Sequence, residues 1–169
     1  MKLKTYQKEV LADLKNYLEH LRKSNDLREA FRQHWLDRSI DPHTKNNDLL
    51  HAYNNSLAPG IPNVTLKVPT AGGKTYIAAN ALPLIFDYLP QEQPRVVAWF
   101  VPSDSIREQT LRNLQTPGHP YYEALQSSGR TVMVEGKDEA LMGTGLTLRW
   151  WSSSQRRSSS IGQSSGMAI

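Results

Sequence analysis

Apolar residues recur every three or four positions near the start of the chain, with charged side chains between them. They are Tyr6, Val10, Leu14, Leu18 and Leu21. This spacing is typical of an amphipathic helix with one buried face, and it predicts a helix from about Thr5 to Arg22. A second, weaker helical pattern runs from Leu27 to Trp35. It should end before Pro42, because the residue that precedes a proline disfavours the helical conformation.

Three β-branched, mainly apolar runs of strand length follow in the middle of the chain. They are Val64–Val68, Val96–Val101 and Thr131–Val134. Helical spacing begins at Lys74 after the first run and resumes from Ser105 to Leu114 after the second, and Tyr121–Leu125 predicts a further short helix. We expect Pro83 to kink or shorten the first of these helices. Alternating strands and helices predict an α/β fold with a parallel sheet, whose functional sites lie at the carboxyl ends of the strands.

The composition divides the chain into three regions. Residues 43–62 are rich in turn-forming residues and predict a long connection. From Gly143 the chain is rich in serine, glycine and arginine, with eight serines between Ser152 and Ser165, and we expect this tail to be disordered because it cannot bury enough apolar surface. The predicted domains are therefore N-terminal helices with the connection (1–62), a partial sheet region (63–142) and the tail (143–169).

Charge and cysteine content narrow the function classes. The chain contains no cysteine, which excludes disulfides and thiolate metal sites. The formal net charge is +4, but residues 1–145 hold 17 basic and 16 acidic side chains, so charge alone is weak support for a nucleic-acid partner. The longest apolar run has six residues, too few for a membrane span, and the N-terminus lacks a secretion signal. We therefore expect a cytoplasmic protein.

A phosphate-binding loop is predicted between the first apolar run and the helix that begins at Lys74. Its sequence is Val68-Pro69-Thr70-Ala71-Gly72-Gly73-Lys74-Thr75. A loop between a strand and a helix can turn its backbone N–H groups and the helix N-terminus toward an anion. The general pattern requires a glycine where this chain has Val68. Helicase-type loops fit better, since Thr70, Gly73, Lys74 and Thr75 align directly and Ala71 occupies a glycine position.

Each loop residue has a predicted role. Lys74, the candidate catalytic residue, would contact the β and γ phosphates of ATP, and the Thr75 hydroxyl would bind Mg²⁺. Gly72 and Gly73 would allow the backbone to approach the phosphates closely. Thr70 and Ala71 are the other loop residues expected to bind the nucleotide. The alternative is that these residues form only a flexible turn.

Two further elements resemble parts of superfamily 2 helicases and translocases. Tyr6-Gln7, ahead of the loop, resembles the element in which a glutamine amide recognises adenine. Phe100-Val101-Pro102-Ser103, followed by Gln109, is similar to motif Ia, in which a strand end and the next helix contact the nucleic-acid backbone. Ser103 and Gln109 would then bind phosphate oxygens. The alternatives are a solvated glutamine at position 7 and a helix N-cap at Ser103 or Ser105.

Together these elements resemble the first RecA-like lobe of a superfamily 2 protein. The restriction branch, meaning type III restriction enzyme Res subunits and related DEAD/DEAH-box proteins, is the most similar. The resemblance implies ATP and Mg²⁺ as cofactors and ATP hydrolysis coupled to movement along DNA, with RNA as the alternative polymer. It also implies a modification or specificity subunit as a partner.

The acidic pair that such ATPases use to hold Mg²⁺ is not evident. The one Asp-Glu pair is Asp138-Glu139, and three residues separate it from the preceding apolar run, so a surface turn or helix start is the ordinary interpretation. We therefore expect an incomplete, truncated or frame-shifted product that binds nucleotide. Two other hypotheses are a phosphate-loop kinase and an interaction protein whose glycine loop binds nothing.

Overall fold

The computed structural model describes residues 1–42, 59–89, 95–127, 129 and 132–142. Residues 43–58 of the predicted connection (43–62) and the whole predicted disordered tail (143–169) lie outside these residues. The chain forms two compact units, Met1–Ile77 and a second that begins at Ala78. The described part contains no helix that is both long enough and apolar enough to cross a membrane.

The first unit contains the two N-terminal helices that the sequence predicts. Helix α1 spans Thr5–Ser24 and helix α2 spans Leu27–Leu36. The buried residues of α1 follow the helical repeat and are Gln7, Leu11, Leu14, Tyr17, Leu18 and Leu21. Asn25 ends α1 in the left-handed conformation (φ 52°), and the Asp26 side chain caps α2 by accepting the backbone N–H of Glu29 at 2.8 Å. This short turn folds α2 back onto α1.

A polar network joins α1 to the end of α2. Asp37 accepts hydrogen bonds from Asn16 Nδ2 at 2.9 Å and from His20 Nε2 at 2.7 Å. The Nδ1 atom of His34 lies 2.8 Å from Asn16 Oδ1, and Arg38 donates to the His34 carbonyl oxygen. The His34 ring also packs edge-on against Tyr17, with 5.7 Å between ring centroids. The network thus fixes how the two helices meet along their polar edge.

The remaining helices also follow the sequence pattern closely. Helix α3 spans Lys74–Tyr88, α4 spans Asp104–Gln115 and α5 spans Pro120–Gln126. Helix α3 continues past Pro83, so of the two expected effects of this proline, a kink or a shortening, the structure contradicts the shortening. A short helix, α6, spans Lys137–Leu141. Within the second unit, α4 packs against α5 through buried residues that include Leu114 and Leu125.

The predicted parallel sheet, and with it a partial RecA-like α/β fold, is contradicted by the structure. Across the described ranges every regular element is a helix, and no described residue of the three apolar runs belongs to a strand. Val96 is 57% exposed and Phe100 is 80% exposed, whereas a strand buried on both faces of a parallel sheet would be covered.

Hydrogen bonding explains why the apolar runs do not behave as strands. A strand exists only where a neighbouring backbone pairs with its N–H and C=O groups, and an apolar, β-branched sequence cannot supply that neighbour. In the third run, side-chain amides rather than a neighbouring strand donate to the backbone carbonyl oxygens. The carbonyl oxygens of Val132 and Val134 accept from the amides of Gln126 at 3.4 Å and Gln115 at 3.0 Å.

Candidate functional site

The predicted phosphate-binding loop forms a tight turn directly before helix α3. The Gly72 N–H donates to the Pro69 carbonyl oxygen at 3.0 Å, which closes the turn. Ala71 and Gly73 both have left-handed backbones, with φ of 60° and 73°. The Gly73 carbonyl oxygen then accepts the N–H of Ile77 at 2.9 Å and starts the hydrogen-bond ladder of α3. The helix therefore begins at Lys74, as the sequence predicts.

Both glycines of the loop are required by the local geometry. A Cβ atom on Gly72 would lie 2.7 Å from Val68 Cγ1 and 2.8 Å from the Pro69 carbonyl oxygen, closer than real Cβ atoms come to their neighbours. A Cβ atom on Gly73 would lie 2.8 Å from Gln7 Nε2, and its positive φ adds strain for any other residue. Neighbouring atoms therefore already occupy the space that a side chain at Gly72 or Gly73 would need.

Gln7 contacts the loop directly, although 65 residues separate it from Gly72. The residue is only 2% exposed, which rules out a solvated glutamine at this position. Its Nε2 donates to the Gly72 carbonyl oxygen at 3.0 Å, and its Oε1 accepts the backbone N–H of Lys4 at 2.9 Å. The second bond satisfies a donor at the start of α1. The amide predicted to recognise adenine is therefore bonded at both ends in this structure.

Tyr6 is a contact of the loop that sequence reasoning did not assign to the site. Its hydroxyl donates to the same Gly72 carbonyl oxygen at 2.6 Å and lies 3.3 Å from Gln7 Nε2. The sequence signal was its place beside Gln7. Whether a tyrosine hydroxyl reaches a carbonyl 66 residues away depends on tertiary structure, so no local pattern could have indicated the contact.

Lys74 and Thr75 stand in the first turn of α3, where the chemistry suits an anion. The Lys74 ammonium is exposed and donates to the Pro69 carbonyl oxygen at 3.0 Å. The first N–H groups of a helix lack acceptors within the helix and carry partial positive charge. Thr75 adds a half-buried hydroxyl. This donor set fits phosphate groups, and one hydroxyl with phosphate oxygens matches the sparse protein ligation that Mg²⁺ accepts.

The other predicted site residues belong to the second unit. Ser103 is the N-cap of α4, and its hydroxyl accepts the Ile106 N–H at 3.4 Å, as the N-cap alternative expects. Gln109 is exposed on the same helix. Asp138 and Glu139 lie in the first turn of α6, where Glu139 Oε2 accepts the Gly136 N–H at 2.8 Å. The acidic pair therefore starts a helix, in line with its ordinary interpretation.

Comparison with known proteins identifies the family on most of the chain. No curated protein and no solved structure matches the sequence. A family model described as type III restriction enzyme, res subunit, matches residues 1–156, which include the loop, Gln7 and the second unit's α4. Such subunits are helicase-like and ATP-dependent, generally use ATP with Mg²⁺, and interact with DNA. With a helicase-type phosphate loop and this match over nearly its whole length, the chain belongs to the type III restriction enzyme res subunit family.

Proposed function

We propose that this chain is the ATP-binding part of a DNA helicase or translocase of a restriction-type enzyme, and that it acts in the cytoplasm. The observation that carries the proposal is the loop itself. A positive φ at Gly73 leads into a 15-residue helix that begins with Lys74 and Thr75. Family membership over residues 1–156 supports the same function. A modification or specificity subunit is the protein partner that we propose.

The proposed nucleotide site uses residues of the first unit alone. Thr70, Ala71, Gly72 and Gly73 would surround the phosphates with backbone, while Lys74 would leave the Pro69 carbonyl to contact the β and γ phosphates. Thr75 would contribute its hydroxyl to Mg²⁺, which when bound neutralises phosphate charge. Gln7 would recognise adenine with the amide N–H and the oxygen lone pair that its bonds to the Gly72 carbonyl and the Lys4 N–H leave over.

Nucleotide binding, rather than turnover, is the activity that we propose for the chain. Hydrolysis in this class needs an acidic residue that holds Mg²⁺. The one Asp-Glu pair, Asp138-Glu139, serves to start α6. In the second unit, Ser103 and Gln109 are the proposed contacts to DNA phosphates, with RNA as the other polymer, because both are exposed and carry hydrogen-bonding groups.

Thermal unfolding with and without Mg-ATP tests the proposed function. Ligand that binds only the native state adds about 2.7 kcal/mol of stability at a hundredfold excess over the dissociation constant, so the wild-type Tm should rise. Lys74→Ala should abolish the rise. Lys67→Ala is the matched control, because it removes an exposed lysine of the same unit that lies outside the proposed contacts. A wild-type Tm that ignores Mg-ATP, or an equal loss in both variants, would contradict the proposal.

A further inference from the structure

The Gly72 carbonyl oxygen is held by two side-chain donors from the first turn of α1. Tyr6 donates its hydroxyl at 2.6 Å and Gln7 donates its amide at 3.0 Å. A carbonyl oxygen has two lone pairs, so these two bonds use its full accepting capacity. Gln7 is buried and Tyr6 is half-buried, and both bonds are therefore shielded from competition by water.

This arrangement determines the direction of a backbone donor in the loop. The Gly72 carbonyl and the Gly73 N–H belong to the same peptide group, and the two point in opposite directions in a trans peptide. All described peptide bonds are trans. Holding the Gly72 oxygen toward Tyr6 and Gln7 therefore points the Gly73 N–H away from them. Without these bonds, the peptide between the two glycines would have more freedom to rotate, since glycine tolerates a wide range of φ and ψ.

We infer that Tyr6 and Gln7 are positioning residues for the phosphate loop, which keep the Gly73 N–H turned outward toward a bound triphosphate. This inference rests on the proposed nucleotide-binding function and adds a role for Tyr6. It also gives Gln7 a role besides recognition of adenine, since its present bonds reach the loop rather than a base. The two functions of Gln7 use the same amide group, so the phosphate and adenine ends of the site are coupled through it.

Binding of Mg-tripolyphosphate, which carries the phosphates without adenine, separates positioning from base recognition. Tyr6→Phe keeps the ring and removes only the hydroxyl. Loss of one hydrogen bond to the loop should weaken Mg-tripolyphosphate and Mg-ATP by the same factor, about fivefold. Tyr76→Phe is the matched control. It removes a hydroxyl that donates to the Met1 carbonyl oxygen at 3.0 Å, outside the loop, and should leave both affinities unchanged.

Gln7→Met provides a second variant of similar volume, in case Tyr6→Phe unfolds the chain. Positioning requires that it weaken Mg-tripolyphosphate, whereas a role limited to adenine leaves that affinity intact. Unchanged tripolyphosphate binding in the folded variants, or wild type that binds Mg-ATP but no tripolyphosphate, overturns the inference and leaves the proposed function standing. Wild type that binds neither ligand overturns the proposed function itself.

Discussion

The missing side chain of Gly73 leaves room for the amide of Gln7. A Cβ atom at position 73 would stand 2.8 Å from Gln7 Nε2, inside the contact distance of the two atoms. Gln7 could move aside only by breaking its bond to the Gly72 carbonyl oxygen. Gly73→Ala should therefore lower the free energy of unfolding twice over, through backbone strain and through loss of this hydrogen bond, as urea unfolding would measure.

Gly60→Ala isolates the first of these effects. Gly60 also has a positive φ, 83°, but a Cβ atom there would meet nothing within 4 Å. Its replacement should destabilise by about 1 to 2 kcal/mol, the strain of the left-handed conformation. Gly73→Ala should be about 1 kcal/mol worse. That excess should disappear in a Gln7→Ala background, and strictly additive effects of Gln7→Ala and Gly73→Ala would show that the two residues do not compete for space.

Ala71 is strained in the position where helicase-type loops have glycine. Its φ of 60° places a side chain in the left-handed region, which disfavours residues other than glycine. Ala71→Gly should therefore raise the free energy of unfolding by about 1 kcal/mol. Ala12→Gly, at an exposed position inside α1, should have the opposite sign and lower it by about 1 kcal/mol. Thermal or urea unfolding that gave both substitutions the same sign would contradict this account.

The helices were predictable because their information is local. Leu14, Leu18 and Leu21 repeat at helical spacing, and α1 forms where this repeat indicates. The sheet was wrongly predicted because a strand needs a partner from elsewhere in the chain. The apolar run from Val96 to Val101 indicates where a strand is favoured, but not which other segment would pair with it. Pro83 is a second case in which the local sequence was not decisive. Helix α3 continues past it, although proline usually interrupts a helix.

The sequence proposes which residues form the candidate site, but it does not show how they contact one another. The glycines, Lys74 and the link with Gln7 could be read from their order, because the phosphate loop follows a short motif. The sequence could not show that Gln7 is buried against the Gly72 carbonyl oxygen, or that Tyr6 shares that oxygen. Both facts depend on how residues 65 positions apart come together, which no local pattern encodes.

His34 should make the stability of the first unit depend on pH. Partial burial, with the nearby Arg38 guanidinium as the next cause, lowers the pKa of His34 from 6.5 to about 4. The unfolded chain therefore takes up a proton near pH 6.5, while the folded chain resists protonation until about pH 4. The stability contributed by neutral His34 is fully present above pH 6.5 and is lost as the pH falls toward 4. The ring is half-exposed, so solvent screening reduces the loss to roughly 1 to 2 kcal/mol.

His34→Gln tests this dependence, because glutamine cannot titrate in the range and retains a donor for the Asn16 side-chain oxygen. The free energy of unfolding of the wild type should fall more steeply than that of the variant between pH 7 and pH 4.5. The titration of Asp37 lies below this pH range and does not affect the comparison. Hydrogen bonds from Asn16 and His20 lower the pKa of its carboxyl from 3.8, so the stability it contributes is lost only as the pH falls below that value. Parallel pH profiles for the two proteins would mean that His34 is protonated equally readily in the folded and unfolded chains.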